Sequence, residues 1–150
     1  MEKTRRRTRL LGLAAAAAFA AGVIASAQPA QAATPPVVSS IAIAPASITL
    51  GGSAQVTATA TNTTSGTLNA ALGIDIPGFA HASHATGTNG CTPRLLGTIT
   101  YCNITLTPGA SATLTITSTP SATGTLVFTS YGRILYTGTN DTATATLTVS

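Results

Sequence analysis

Past residue 32 the sequence contains no lysine, glutamate or tryptophan, and its only charged side chains are Asp75, Arg94, Arg133 and Asp141. That scarcity excludes whole classes of function. Nucleic-acid binding needs clustered cations that displace phosphate counterions, and two separated arginines do not supply a cluster. Electrostatic attachment to an anionic membrane surface fails on the same ground. Two aspartates are too few for a calcium cage of oxygen ligands. The formal net charge of +4 comes from the first 32 residues, which hold five of the seven Lys and Arg. From Ala33 to Ser150 the chain is formally neutral, so the pI near 9.7 describes the N-terminal segment rather than the rest.

That segment, "MEKTRRRTRLLGLAAAAAFAAGVIASAQPAQA", begins with Lys3, Arg5, Arg6, Arg7 and Arg9, continues through an apolar run from Leu10 to Ala27, and ends in Ala30-Gln31-Ala32. A basic region, an apolar region and an A-x-A site are the parts of a secretory signal. The apolar run is nearly long enough to span a bilayer. It is mostly alanine, however, and small residues and Pro29 follow it, which favours cleavage over anchoring. With no cysteine in the segment, lipid attachment at a new N-terminal Cys is excluded. The expected organisation is a cleaved helical signal peptide at 1–32, an extended Pro-rich leader at 33–40, and one domain at 41–150.

What remains is rich in hydroxyls. Of the 118 residues from Ala33 to Ser150, 28 are threonine. Disorder goes with high net charge and few β-branched residues, so this segment is expected to fold. In "SAQVTATATN" (53–62), Ala54, Val56, Ala58 and Ala60 share one face while Gln55, Thr57, Thr59 and Thr61 share the other. "SATLTITST" (111–119) and "DTATATLTVS" (141–150) repeat the alternation. Period 2 means strands with one face on a core and one in water. Further strands are expected in 41–45, 67–76, 97–106 and 124–136, separated by Gly51-Gly52, "NTTSG", Pro77-Gly78, Pro108-Gly109, Pro120 and "TGTND". Strands of this length and spacing, about seven to nine of them, predict an all-β antiparallel sandwich with a thin core of Ala, Val, Ile and Leu.

Together "LGGSAQVTATATNTTSG" (50–66), "IDIPGF" (74–79), Cys91 and Cys102, "LTPGASATLTITSTPSATGTL" (106–126) and the terminal "DTATATLTVS" resemble the conserved-repeat domain of bacterial surface proteins. This is the family catalogued as domain of unknown function eleven. The likeness covers most of the chain beyond the signal, in order. It departs from the family in having a single copy and in placing Ile76 where Leu is usual. The resemblance implies an immunoglobulin-like fold and an exported structural or binding module, and it carries over no catalytic residue.

Residues 81–102 hold both histidines and both cysteines, His81, His84, Cys91 and Cys102. On paper these four could cage a zinc ion, although structural sites hold each cysteine pair closer in sequence. An exported chain meets oxidising surroundings, where an even number of cysteines pairs, and the family pattern places Cys at both positions. The expectation is a Cys91–Cys102 disulfide beside two unrelated surface histidines that strand alternation would put on opposite faces. No metal or cofactor is expected.

Catalysis finds little support. A Ser, His and carboxylate can be collected from any sequence this rich in serine, and no Gly-x-Ser-x-Gly elbow occurs. Asp75 and Asp141 read as turn residues bonding their own backbone rather than as a glycosidase pair. Asn62, Asn103 and Asn140 each begin an N-x-Thr sequon.

The expected function is a secreted, non-enzymatic structural or interaction module of the bacterial cell exterior, either released or loosely wall-associated. Its partner would be a protein or an envelope glycan; nucleic acid and, after signal cleavage, membrane are not expected. The alternative is recognition of cell-wall or host glycans through Tyr131, Arg133 and Tyr136 of "YGRILY". The chain ends on a strand without a sorting motif, so covalent wall attachment is not expected. Intact-mass spectrometry of culture medium should find a protein beginning at or near Ala33; finding only full-length, cell-bound chain would overturn the export reading.

Overall fold

The computed structural model describes residues 33–138 and 140–150. The signal peptide read at 1–32 lies outside the described residues. Ten strands follow in order: β1 (Val37–Ala44), β2 (Ser47–Ile48), β3 (Ala54–Asn62), β4 (Leu68–Asp75), β5 (Ala80–Gly87), β6 (Arg94–Leu96), β7 (Ile99–Leu106), β8 (Ser111–Pro120), β9 (Gly124–Ile134) and β10 (Asn140–Val149). No helix occurs among the described residues. The strands form two sheets, β1-β3-β8-β5 and β2-β10-β9-β4-β7-β6, whose inner faces enclose one core.

The alternation written in the sequence is the alternation in space. Ala54, Val56, Ala58 and Ala60 of β3 are buried, and so are Ala112, Leu114 and Ile116 of β8 beside them. Opposite stand Leu72 and Ile74 of β4, Cys102, Ile104 and Leu106 of β7, and Leu126 and Phe128 of β9. Phe128 heads the fully buried side chains by volume. At the β1 end the inner faces shrink to Ser39, Ala60, Ser130 and Gly132, and the layers draw close. A Cβ built on Gly132 would lie 2.9 Å from Cγ1 of Val37. The Ser39 and Ser130 hydroxyls, both buried, satisfy one another at 2.8 Å.

Three features differ from the sequence reading. The segment read as a leader, 33–40, is half built into the sheet: β1 begins at Val37, whose side chain is buried with that of Ser39. The carbonyls of Pro35 and Pro36 accept bonds from the Thr63 hydroxyl and amide, respectively. Second, the sandwich is not wholly antiparallel, because β2 pairs parallel with β10. Pro45, which has no N–H for a ladder, follows the last residue of β1, and the chain leaves the four-stranded sheet there to join the other. Third, Asp141 bonds outside its turn. Its Oδ2 accepts the Ser39 amide at 2.7 Å, satisfying a donor on the outer edge of β1. Asp75, by contrast, is the exposed last residue of β4, next to Ile76-Pro77-Gly78.

Because the core is assembled from short side chains around one large ring, that ring should dominate its energetics. Phe128→Ala is expected to destabilise the domain by about 3–5 kcal/mol, measured as a lower urea midpoint. A change under about 1 kcal/mol would show that the core collapses readily around the vacancy.

Candidate functional site

The outer face of the six-stranded sheet brings two tyrosines together with polar side chains. Inward-facing Thr100 and Cys102 flank Tyr101 in β7, so alternation turns Tyr101 outward. In β9, buried Ser130 and Gly132 put Tyr131 and Arg133 outward in the same way. Between these strands runs β4, and Gly73 is paired with Tyr101 on one side and Tyr131 on the other. A side chain at Gly73 would collide with the Tyr131 ring, whose Cζ, Cε1 and hydroxyl oxygen occupy the space above it. Glycine weakens a strand interior unless something packs over it, and here the tyrosine of the next strand does so. Its bland role is therefore to cover the backbone of β4.

Beside the tyrosines lies an open cleft of about 450 Å³, lined by Leu96, Ile99, Tyr101, Asn103, Tyr131 and Arg133, with Leu135 at its end. A second groove, of about 440 Å³, shares Asn103 and Leu135 and adds Asn69, Asn89, Thr105 and Tyr136. Burial raises the Tyr131 pKa above its ordinary value. The Asp75 carboxylate and Tyr101 push it the same way, and the Arg133 guanidinium pulls against them. Tyr131 therefore stays protonated at physiological pH and keeps a donor beside the guanidinium.

Of the three residues read as a patch, the structure joins two. Tyr131 and Arg133 share the face, but Tyr136 lies beyond the end of β9 in a turn, fully exposed with φ of 71°, and lines the second groove instead. Its place beside Tyr131 is taken by Tyr101 and Asn103. The signal for them was in "GTITYCNITL": once Cys102 is assigned to the core, its neighbours must face out. Gly73 carried no chemical signal of its own.

Cys91 and Cys102 form a disulfide, with Cα atoms 5.2 Å apart and both residues buried. It ties the segment between β5 and β6 to β7. Gly87 lies so close to Cys91 that a side chain there would strike its sulfur and carbonyl. With both sulfurs bonded to each other, the four-ligand zinc reading of this stretch fails. No group of three or more His, Cys, Asp or Glu that could hold a metal occurs among the described residues. The expected placement of the histidines needs correction. The register of β5 against β8 shifts between Ser83 and Ala85, and His84, with φ of 50°, is the extra residue. This bulge returns Ala85 to the position opposite buried Ile116 and leaves His84 exposed, as His81 is. Plain alternation would have sent His84 toward the core.

Carboxylates and histidines do not converge. Asp75 is on the outer face of the six-stranded sheet, Asp141 points to the inner side, and His81 stands outward on the other sheet opposite Thr119. The sequons differ in access. The Asn62 amide is buried and donates to the carbonyls of Gly66 and Leu106, while Asn103 is exposed in the cleft.

No family model matches the sequence, and no curated protein matches it. Solved structures do resemble it. The CARDB domain of a Pyrococcus furiosus protein, solved in complex with di-metal ions, superposes with a TM-score of 0.54 at 15% identity, over 77% of this chain and 89% of that one. BslA, described as a bacterial hydrophobin, gives 0.53 at 17% identity over 79% and 98%. AvmM, which catalyses macrocyclization in alchivemycin A biosynthesis, gives 0.52 at 12% over 78% and 90%. At these identities the likeness is one of fold, a β-sandwich. A fold shared by an enzyme and a hydrophobin does not decide function, so function is argued from the face itself.

The disulfide and the histidines make separable predictions. Cys91→Ser opens a link between residues 11 apart in sequence and should cost about 2–4 kcal/mol of stability. Replacing exposed His81 and His84 by alanine should leave the melting temperature nearly unchanged. A histidine variant as damaged as the cysteine variant would show that the imidazoles do structural work which the geometry does not assign them.

Proposed function

We propose that this chain is exported by a bacterium and serves at the cell exterior as a non-catalytic interaction module that binds saccharide through the outer face of the six-stranded sheet. The observation that carries the reading is compositional and spatial at once. On a domain whose surface is mainly hydroxyl and short aliphatic, Tyr101, Tyr131, Asn103 and Arg133 line one cleft. Rings that stack on a sugar face, amides that bond its hydroxyls and a single cation are the groups saccharide recognition uses, and they are set on strands rather than on mobile loops. The lack of any convergent acid–base pair in the cleft favours binding over turnover.

Export is supported by the A-x-A signal pattern at 30–32 and by a disulfide suited to oxidising surroundings. The motif string from residue 50 to 150 supports reading the domain as a single copy of the conserved-repeat surface family, with the sandwich as the common ground. A purely structural role at the exterior is the second reading. The four-stranded sheet favours it, since its outer face is a ladder of cross-strand hydroxyl pairs with no ring aimed outward from its central strands and Gln55 as their one amide.

The test is retention of the exported protein on cell-wall and envelope polysaccharide, comparing wild type with Tyr101→Ala and with the Tyr101→Ala, Tyr131→Ala pair. The single variant should lose a large part of the retention and the pair nearly all of it, at roughly 1–3 kcal/mol per lost stacking ring if base–aromatic stacking is the guide. Equal retention of all three proteins would favour the structural reading.

A further inference from the structure

The two arginines of residues 33–150 lie on the same face. Arg94 of β6 is the register partner of Tyr101, and Arg133 follows Tyr131 by two residues in β9. Antiparallel partners project to one side of a sheet, so Arg94, Tyr101, Tyr131 and Arg133 all stand on the outer side of the six-stranded sheet. In a formally neutral domain without lysine, both available cations thus bracket the two tyrosines. From the saccharide reading of this face, on which the inference rests, we infer that the ligand is a carboxylate-bearing glycan, a uronate-type chain lying across the strands from Arg94 toward Arg133.

Spacing argues for a chain rather than a small anion. Strands β6 and β9 are separated by β7 and β4, and three steps of about 4.8 Å place the two arginine backbones roughly 14 Å or more apart. Two guanidinium groups that far apart do not close on one carboxylate; they suit charges repeated along a polymer. The cleft beside Tyr101, Tyr131 and Arg133 is not isolated. It continues through Asn103 and Leu135 into the second groove, where Asn69 and Asn89 add amides and Tyr136 adds a ring.

Charge density argues for carboxylate over phosphate polymers. Asp75 stands on this same face, near enough to Tyr131 to raise its pKa, and a dense polyanion would meet that carboxylate with only two cations to offset it. A sugar chain with one carboxylate per ring avoids this, since each guanidinium can take one carboxylate through two parallel N–H donors while uncharged parts of the chain pass Asp75. Tyr131, held in its neutral form, adds no repulsion.

Titration calorimetry on protein purified from an exporting host tests this, with tetragalacturonate and its methyl ester as probes. The two share a backbone and differ in charge. The free acid should bind about tenfold more tightly than the ester, the scale of one charge-assisted hydrogen-bond pair. Arg133→Gln and Arg94→Gln should each narrow the gap between acid and ester, and added salt should weaken the acid more than the ester. Both arginines are exposed, so these variants keep the fold. Equal binding of acid and ester with both arginine variants silent would overturn the carboxylate inference and leave the saccharide face standing. Binding of neither probe, with Tyr101→Ala also unchanged in wall retention, would overturn both.

Discussion

The architecture depends on how near two sheets come when their inner faces carry so little side chain. Facing sheets normally pack about 10 Å apart, a distance set by the residues between them. Here β3 offers alanine at three of its inward positions, and β9 narrows its inward run to Ser130 and Gly132 before Ile134. The layers close at that end because Gly132 presents no Cβ to Val37, and the polar groups trapped by the closure pair with each other: Ser39 with Ser130, and the Ser39 amide with Asp141. One N–H of the edge strand β1 that would otherwise be open to another chain, that of Ser39, is satisfied by these contacts. At the other end Phe128, Leu72 and Leu114 fill the core, and the disulfide ties the β5–β6 segment to β7.

Hydroxyls replace ions on the surface. On the outer face of the four-stranded sheet Thr57 bonds Thr115 at 3.0 Å and Thr61 bonds Ser111 at 2.7 Å, while Thr88 bonds Thr113 at 2.8 Å beside them. Cross-strand threonine pairs support a sheet by fractions of a kcal/mol each, without the screening that weakens surface ion pairs. Edges are kept short or irregular: β2 has two residues, β6 has three including Arg94, and β5 is bulged at His84.

Strict alternation made β3, β8 and β10 legible in the sequence, because the period is strong and the inward residues are few in kind. The strands β2, β5 and β6 were not legible as strands. Two or three residues carry no period, and in β5 the bulge breaks the parity that a reader would extrapolate through "AHASHATG". The leader boundary was missed because Val37 and Ser39 sit in a Pro-rich context that hides their alternation with Val38 and Ser40. Tyr136 was grouped with Tyr131 and Arg133 by nearness in sequence, although an odd-to-even step of five within a strand already puts it on the other parity. Tyr101 and Asn103 were accessible through Cys102, but only once the disulfide had been assigned to the core.

Tyr131 carries a structural and a functional demand at once, and the two are compatible for a geometric reason. Its ring reaches across β4 and covers Gly73, which spares the central strand an exposed stretch of backbone and holds the side chain half-buried. A ring fixed in this way has already lost much of the rotamer freedom that binding would otherwise cost. Tyr101 is the register partner of the same glycine on the other side, through the β4–β7 pairing. Filling that position would push Tyr131 off the sheet. The glycine that looks like a weakness in β4 is therefore what lets the Tyr131 ring lie across the strand toward Tyr101's side of the face.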